Sequence, residues 1–385
     1  MSKALPVFLV FLAMGFVDAV GPFVGLARDQ FHLSNFTAQL ITLAGLISFG
    51  FLSVPMGVLQ DKIGKKMILL LGLAIMLAGL VIPAIFGFST FPVFLVTVVL
   101  MGAGATTMQV AGNPIMRDIS AEGKYSRNLS LAQFVKSIGT FSGAMVPMVA
   151  ARYFGVSWQV IFPIYSVAVA IAIVACLPLK AGQREAVVQK PTTFGSCLAL
   201  LFSNGWVALM VFAIFFYVGA EVSVSSGIPI YLKERFGLDV NQIGVAGTGL
   251  FMLALTIGRF SGSVILNWMK PRTFLKVTCL VSLLGLAGLF APTKELVAAS
   301  FVVIGIGFAN IFPLVFSITV DALPERVNAL SGLMVSAIVG GACLPPIMGL
   351  VSDALGSALL GFCVPIAAIL YCALVSVVKP PTAAA

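Results

Sequence analysis

Two carboxylates and two cations lie inside otherwise apolar stretches: Asp18 in GFVDAVGP, Glu221 in YVGAEVSVSSGIP, Lys136 in LAQFVKSIG and Arg259 in TIGRFSGS. A charge at bilayer depth costs roughly 2.5–3.5 kcal/mol on insertion scales, so such groups persist where they bind cargo, pair with each other or carry a proton. The two acids occupy similar apolar settings, each in the first long apolar segment of one half of the chain. A carboxyl group in such surroundings can load and release a proton near neutral pH. Lys136 has three open roles: neutralising Asp18, anchoring an anionic group of a cargo, or reaching with its stem toward the cytoplasmic surface. Counted at 1.5 Å per residue, Asp18 and Lys136 lie about 21 Å and about 12 Å from the cytoplasmic ends of their segments. The lysine stem spans much of that difference.

The elements that position these residues follow from composition. Sixty per cent of the 385 residues are hydrophobic and nine per cent charged, and the mean hydropathy is +1.12. A water-soluble globule of this make-up would lack polar surface. A bilayer-spanning helix needs about 20 mainly apolar residues, and such runs follow one another along the chain without the alternation of barrel strands. The expected fold is therefore an all-α membrane protein of twelve transmembrane helices, at 4–27, 36–59, 67–88, 92–116, 128–150, 157–178, 203–232, 241–266, 273–291, 296–320, 328–351 and 357–378.

The net charge of +9 does not point to nucleic acid. Lys62, Lys65, Lys66, Arg117, Lys124, Arg127, Lys180, Arg184, Lys190, Lys270, Arg272, Lys276 and Arg326 fall in one set of loops, whereas Arg28, Arg152, Lys233, Arg235 and Lys294 fall in the other. This is the positive-inside pattern, and it places both termini in the cytoplasm of a multi-pass plasma-membrane protein, a bacterial inner-membrane one. The apolar run after Lys3 is span-length without a small-residue cleavage site, so it is expected to remain as the first helix. Six cysteines without CxxC spacing read as small buried hydrophobes, and one histidine with no cysteine cluster argues against a metal.

KAGQREAVVQKP at 180–191 is the least apolar interior stretch. It divides the chain into a six-helix bundle at 1–179, a cytoplasmic linker at 180–202 and a second six-helix bundle at 203–385. The halves repeat weakly: Asp18 answers to Glu221, Gln109 to Asn310, Asn113-Pro114 to Phe312-Pro313, and Asn128-Leu129-Ser130 to Asn328-Ala329-Leu330-Ser331. Paired six-helix halves with a site near mid-membrane are a transporter architecture. Glycine and proline interrupt the first span at Gly15, Gly21 and Pro22, the fourth at Gly102, Gly104, Gly112 and Pro114, and the eleventh at Gly340, Gly341, Pro345 and Pro346. Kinks at these places suit a moving machine.

Between the second and third spans lies GVLQDKIGKK, Gly57 to Lys66, in which Asp61 can cap and pair with neighbouring helix ends. This resembles the loop signature of the major facilitator superfamily; the corresponding GRFSGSVILNWMKPR of the second half lacks the aspartate. AGNPIMRDI (Ala111–Ile119), LAQFVKSIG (Leu131–Gly139), FFYVGAEVSVSSGIP (Phe215–Pro229) and TIGRFSGS (Thr256–Ser263) further resemble the fucose permease-type sugar symporters. That resemblance implies uptake of a hexose such as fucose, galactose or glucose, usually driven by a cation gradient. It implies that Asp18 is the proton-coupling acid and that Gln133 lines the sugar site. Three departures accompany it: Gln109 stands where proton-coupled relatives have a glutamate, Gly15 where a polar sugar contact is expected, and Lys136 where a neutral asparagine is expected.

The expected substrate-binding set is thus Lys136, Gln133, Gln109, Asn113, Gln39, Asn310 and Glu221, with Asp18 for the proton and Asp61 and Arg259 in conformational roles. Arg259 is expected to clamp Asp321 or a helix C-terminus, and Glu221 to serve either the seventh-span hinge or the cargo. Phe134, Tyr217, Phe308 and Phe312 could flank a sugar ring. The cargo is a small-molecule sugar or acid sugar, with proton or sodium as coupling ion, no other cofactor, and a monomer suffices. No P-loop is present, so the driving force is a gradient. A membrane enzyme would need clustered nucleophiles or metal ligands, and a receptor a soluble output domain.

Overall fold

The protein is described from a computed structural model covering residues 4–18, 27, 30–33, 35–86, 90–179, 192–238 and 247–379. The expected interruption at Gly21-Pro22, the polar stretch 180–191, the start of the eighth span and the side chain of Gln39 lie outside the described residues. All the regular structure in these residues is helical. A chain in lipid has no water for its backbone groups, and long apolar helices satisfy them internally.

The first half comprises α1 (Leu5–Asp18), α2 (Asn35–Ile63), α3 (Lys65–Phe86), α4 (Phe91–Ile119), α5 (Tyr125–Phe154) and α6 (Ile161–Cys176). A short helix, α7 (Phe194–Ser203), occupies part of the expected linker. The second half comprises α8 (Gly205–Phe236), α9 (Gly249–Ile265), α10 (Pro271–Gly288), α11 (Lys294–Phe308), α12 (Ile311–Ala322), α13 (Val327–Ser336), α14 (Gly340–Leu355), α15 (Ala358–Gly361) and α16 (Cys363–Val377). Nine helical runs among the described residues are long and apolar enough to cross a membrane. Together with α1, α9 and α10 they supply a helix for each expected span.

Among the described residues three spans are interrupted, the twelfth at Phe362 between α15 and α16. The eleventh passes from α13 through a 3₁₀ turn, Ala337–Val339, into α14, close to the expected break at Gly340-Gly341. The tenth breaks between α11 and α12, which composition did not foretell. In an unbroken helix the Pro313 ring would meet the carbonyl of Ala309, and proline is tolerated in the first turn of the new helix. Pro55, Pro83, Pro114, Pro147 and Pro229 nevertheless sit inside continuous helices.

The chain forms two compact units. Unit 1 is 1–121, 135–197 and 324–336; unit 2 is 122–134, 198–323 and 337–385. Each therefore includes a segment from the other half of the sequence, and these two segments contain the repeated Asn-Leu-Ser and Asn-Ala-Leu-Ser motifs. Within unit 1, α13 packs on α2 through Gly57 and Gly332, where added Cβ atoms would lie 3.0 Å from the Asn328 carbonyl and 3.1 Å from that of Ser53. Gln60 donates to Asn328 Oδ1 at 2.6 Å, Asn328 Nδ2 donates to Asp61, and the Thr192 amide donates to Asp61 Oδ2 at 2.6 Å. Lys65 pairs with Asp118 at 2.6 Å and Lys66 donates to the Leu177 carbonyl, placing cations at helix C-termini as the helix dipole favours. Within unit 2, Arg127 donates to Asn267 Oδ1 at 3.2 Å, and the Ser126 and Ser317 hydroxyls share a 2.7 Å bond. Asn267 lies in the second-half loop that lacks the aspartate, so an amide accepting from an arginine stands there instead.

Gln60 is 1 % exposed. Asn328→Ala should leave its amide without that partner and lower stability by about 1–3 kcal/mol. Thermal melts of the purified protein check this, and an Asn328→Ala protein that melts like wild type would contradict the assignment.

Candidate functional site

In unit 1 the close approach of two backbones sets the site. A Cβ at Gly15 would overlap the Lys136 carbonyl oxygen and lie 2.8 Å from the Thr140 nitrogen; one at Gly139 would overlap the Leu12 carbonyl oxygen. The glycines let α1 and α5 touch, as small residues do at membrane helix interfaces. This gives Gly15 a packing reason at the position where the resemblance led us to expect a polar sugar contact. Phe16 stacks on Tyr165 of α6 at 3.7 Å between centroids and steadies the other face of α1.

Asp18, one turn beyond Gly15, meets Lys136, with Nζ 2.9 Å from Oδ2. Lys136 Nζ also donates to Gln109 Oε1 of α4 at 3.3 Å. The Lys136 side chain is 10 % exposed and that of Asp18 30 %, so the ammonium is the more buried of the two. As ammonium and carboxylate the pair is neutral without a further proton. Among the three roles open for Lys136, this geometry realises the pairing with Asp18 and not a reach toward the surface. Asn113 is fully buried one turn from Gln109, and Gln133 is buried on α5; Gln133 lies in the part of α5 that belongs to unit 2.

Unit 2 holds a second pair. Arg259 Nη2 of α9 lies 3.3 Å from Glu221 Oε1 of α8. The sequence assigned Arg259 to a clamp at Asp321 or a helix end and did not join it to Glu221. A usable signal existed: measured from the facing ends of α8 and α9, Glu221 lies about 22 Å deep and Arg259 about 15 Å, a difference that two long side chains can span. Asn310 occupies the break between α11 and α12, where its Nδ2 donates to the Gly258 carbonyl at 2.7 Å. Its side chain covers Gly262, where a Cβ would overlap it. The Phe134 and Phe260 rings lie tilted to each other at 5.3 Å between centroids, and Tyr217 meets Phe308 edge-on at 5.9 Å. Among the described residues no cluster of three metal-ligating side chains occurs.

Comparisons with known proteins agree with this architecture. The sequence profile described as Major Facilitator Superfamily matches residues 7–336. A Helicobacter pylori protein assigned to glucose/galactose transport is 30% identical over 368 residues, covering 90% of this chain and 88% of its own. The L-fucose-proton symporter of Escherichia coli is 26% identical over 86% of this chain and 82% of its own. The crystal structure of the E. coli fucose:proton symporter superposes with a TM-score of 0.81 at 22% identity, over 98% of both chains. The chain belongs to the Major Facilitator Superfamily, as a transporter related to the glucose/galactose and fucose symporters.

Proposed function

We propose that this protein is a secondary active transporter that moves a monosaccharide across the plasma membrane by alternating access, coupled to protons through Asp18. The Asp18–Lys136 pair supports the proposal, because an ionisable pair there stands beside the Gln109 amide, a group suited to a hydroxyl. Similarity to glucose/galactose and fucose transporters supports a neutral hexose as cargo. In this scheme Lys136, Gln133, Gln109, Asn113 and Gln39 contact cargo from the first half, and Asn310 and Glu221 from the second. A proton arriving at Asp18 releases Lys136, and the contacts of Asp61 and Arg259 hold one state. The 1–179 and 203–385 bundles act as the two halves of a monomeric carrier, with both termini in the cytoplasm of a bacterial inner membrane.

A second reading draws on the same pair. Since Lys136 already neutralises Asp18, the empty carrier can reorient without a proton, which would make the protein a uniporter. Proteoliposomes with an inward proton gradient separate the two. Symport gives uptake of labelled galactose, glucose or fucose above equilibrium, abolished by a protonophore. Equilibration that ignores the gradient establishes uniport. Competition by uronates with no competition by hexoses would overturn the sugar reading and make Lys136 the anchor of an anionic cargo.

A further inference from the structure

Tyr165 of α6 is 1 % exposed and touches both helices that carry the Asp18–Lys136 pair. Its ring lies on that of Phe16, the planes 7° apart and the centroids 3.7 Å apart, closer than the roughly 4.5–7 Å of most aromatic pairs. Its hydroxyl lies 2.8 Å from that of Ser142 on α5. Ser142 gives its single proton to the Gly139 carbonyl at 2.6 Å, so it accepts from Tyr165. Gly139 is the residue against which the Leu12 carbonyl of α1 closes. One side chain thus ties α1 to α5 about one turn from the place where the two backbones touch.

Helical spacing says what this tie controls. At about 3.6 residues per turn, Asp18 falls roughly 60° from Gly15 around α1, on the face that meets α5, and Phe16 falls roughly 100° to the other side, toward α6. Gly15 lets the backbones approach but has no side chain to resist a turn of α1 about its own axis. Phe16 has one, buried at 3 % exposure. A turn that carried Asp18 off Lys136 would have to slide Phe16 across the Tyr165 ring, which its hydrogen bond to α5 holds in place.

We infer that Tyr165 is the positioning residue of the Asp18–Lys136 switch, fixing the rotation of α1 on α5 and with it the 2.9 Å approach of the pair. This rests on the proton-coupled reading above and adds the residue that sets how firmly the pair closes. Tyr165 acts through Phe16 and Ser142.

The test is a double-mutant cycle between Tyr165→Leu and Lys136→Met in the full-length protein. It is read by thermal melts and by proteoliposome uptake of labelled galactose, glucose or fucose, with and without an inward proton gradient. Losing the stack should loosen the pair roughly two- to tenfold, so Tyr165→Leu alone should raise the ratio of gradient-driven to gradient-free uptake within that range. In Lys136→Met no pair remains to align, and the same substitution should leave the ratio where Lys136→Met put it. Lys136→Met should also lower the melting temperature only about half as far in Tyr165→Leu as in wild type, since residues coupled through a shared backbone shift are not additive. A tyrosine that only packs gives additive melting shifts and an unchanged ratio, which overturns the inference and leaves proton coupling intact. Wild-type uptake that is absent or ignores the gradient overturns the coupled reading, and the melting cycle then decides the positioning role by itself. Tyr165→Phe keeps the ring and gives up the Ser142 bond, so it enters the cycle as the milder variant. If Tyr165→Leu does not fold, additive shifts in Tyr165→Phe overturn the inference.

Discussion

Replacing Lys136 with methionine should destabilise the protein by about 2 kcal/mol and make uptake depend more steeply on the proton gradient. The substitution keeps most of the stem volume but removes the charge that faces Asp18 at 2.9 Å and Gln109 at 3.3 Å. Breaking a fully buried pair from one side costs about 3–5 kcal/mol, and the partial exposure of Asp18 lowers that figure. Gln109, 1 % exposed, loses its lysine donor as well. The double variant Asp18→Asn with Lys136→Met should recover most of the lost stability, because no charge is then stranded. Thermal melts of the four proteins check this. A double variant no more stable than Lys136→Met alone would show that the pair is incidental.

The same comparison bears on transport. With asparagine at 136, Asp18 needs a proton to become neutral, so uptake should depend more steeply on the gradient than in wild type. A lysine that leaves and rejoins the acid acts as a tethered competitor of the proton. Whether the wild-type carrier can turn over while the pair is closed is the difference between uniport and symport.

The spans were legible because twenty apolar residues in lipid admit few alternatives to a helix. The partnership of Asp18 and Lys136 was only partly legible. Depth along each helix brought them near, but the rotation of α1 against α5 depends on Gly15 and Gly139, whose role is visible only once the backbones touch. Glu221 and Arg259 escaped because Arg259 was counted from the cytoplasmic end of its span and not from the connection to α8. The break at Asn310 was hidden for another reason: Pro313 resembles the prolines that helices elsewhere in the chain absorb, Pro345 and Pro346 of α14 among them. The division at the linker likewise could not show that 122–134 and 324–336 pack with the opposite halves, since that depends on contacts far apart in sequence.

Gly15→Ala should be among the most damaging single-methyl additions at the described glycines. The new Cβ would fall on the Lys136 carbonyl oxygen, and its next neighbours are the Thr140 nitrogen at 2.8 Å and the Gly139 Cα at 2.9 Å. All three are backbone atoms, so no rotamer change relieves the overlap and α1 must move from α5 by roughly 1 Å or more. Overpacking of this kind costs about 1–3 kcal/mol. The shift also carries Asp18 away from Lys136, which adds the loss of the ion pair. The two contributions can be separated: introduced into Asp18→Asn/Lys136→Met, the alanine should show the packing cost alone. Gly139→Ala, which meets the Leu12 carbonyl from the opposite helix, should reproduce the effect. Gly349→Ala is the control, because its Cβ meets nothing within 4 Å on an exposed face of α14, and alanine there should stabilise the helix by up to about 1 kcal/mol. Gly15→Ala protein that transports and melts like wild type would mean that α1 and α5 do not make the contact that aligns the pair.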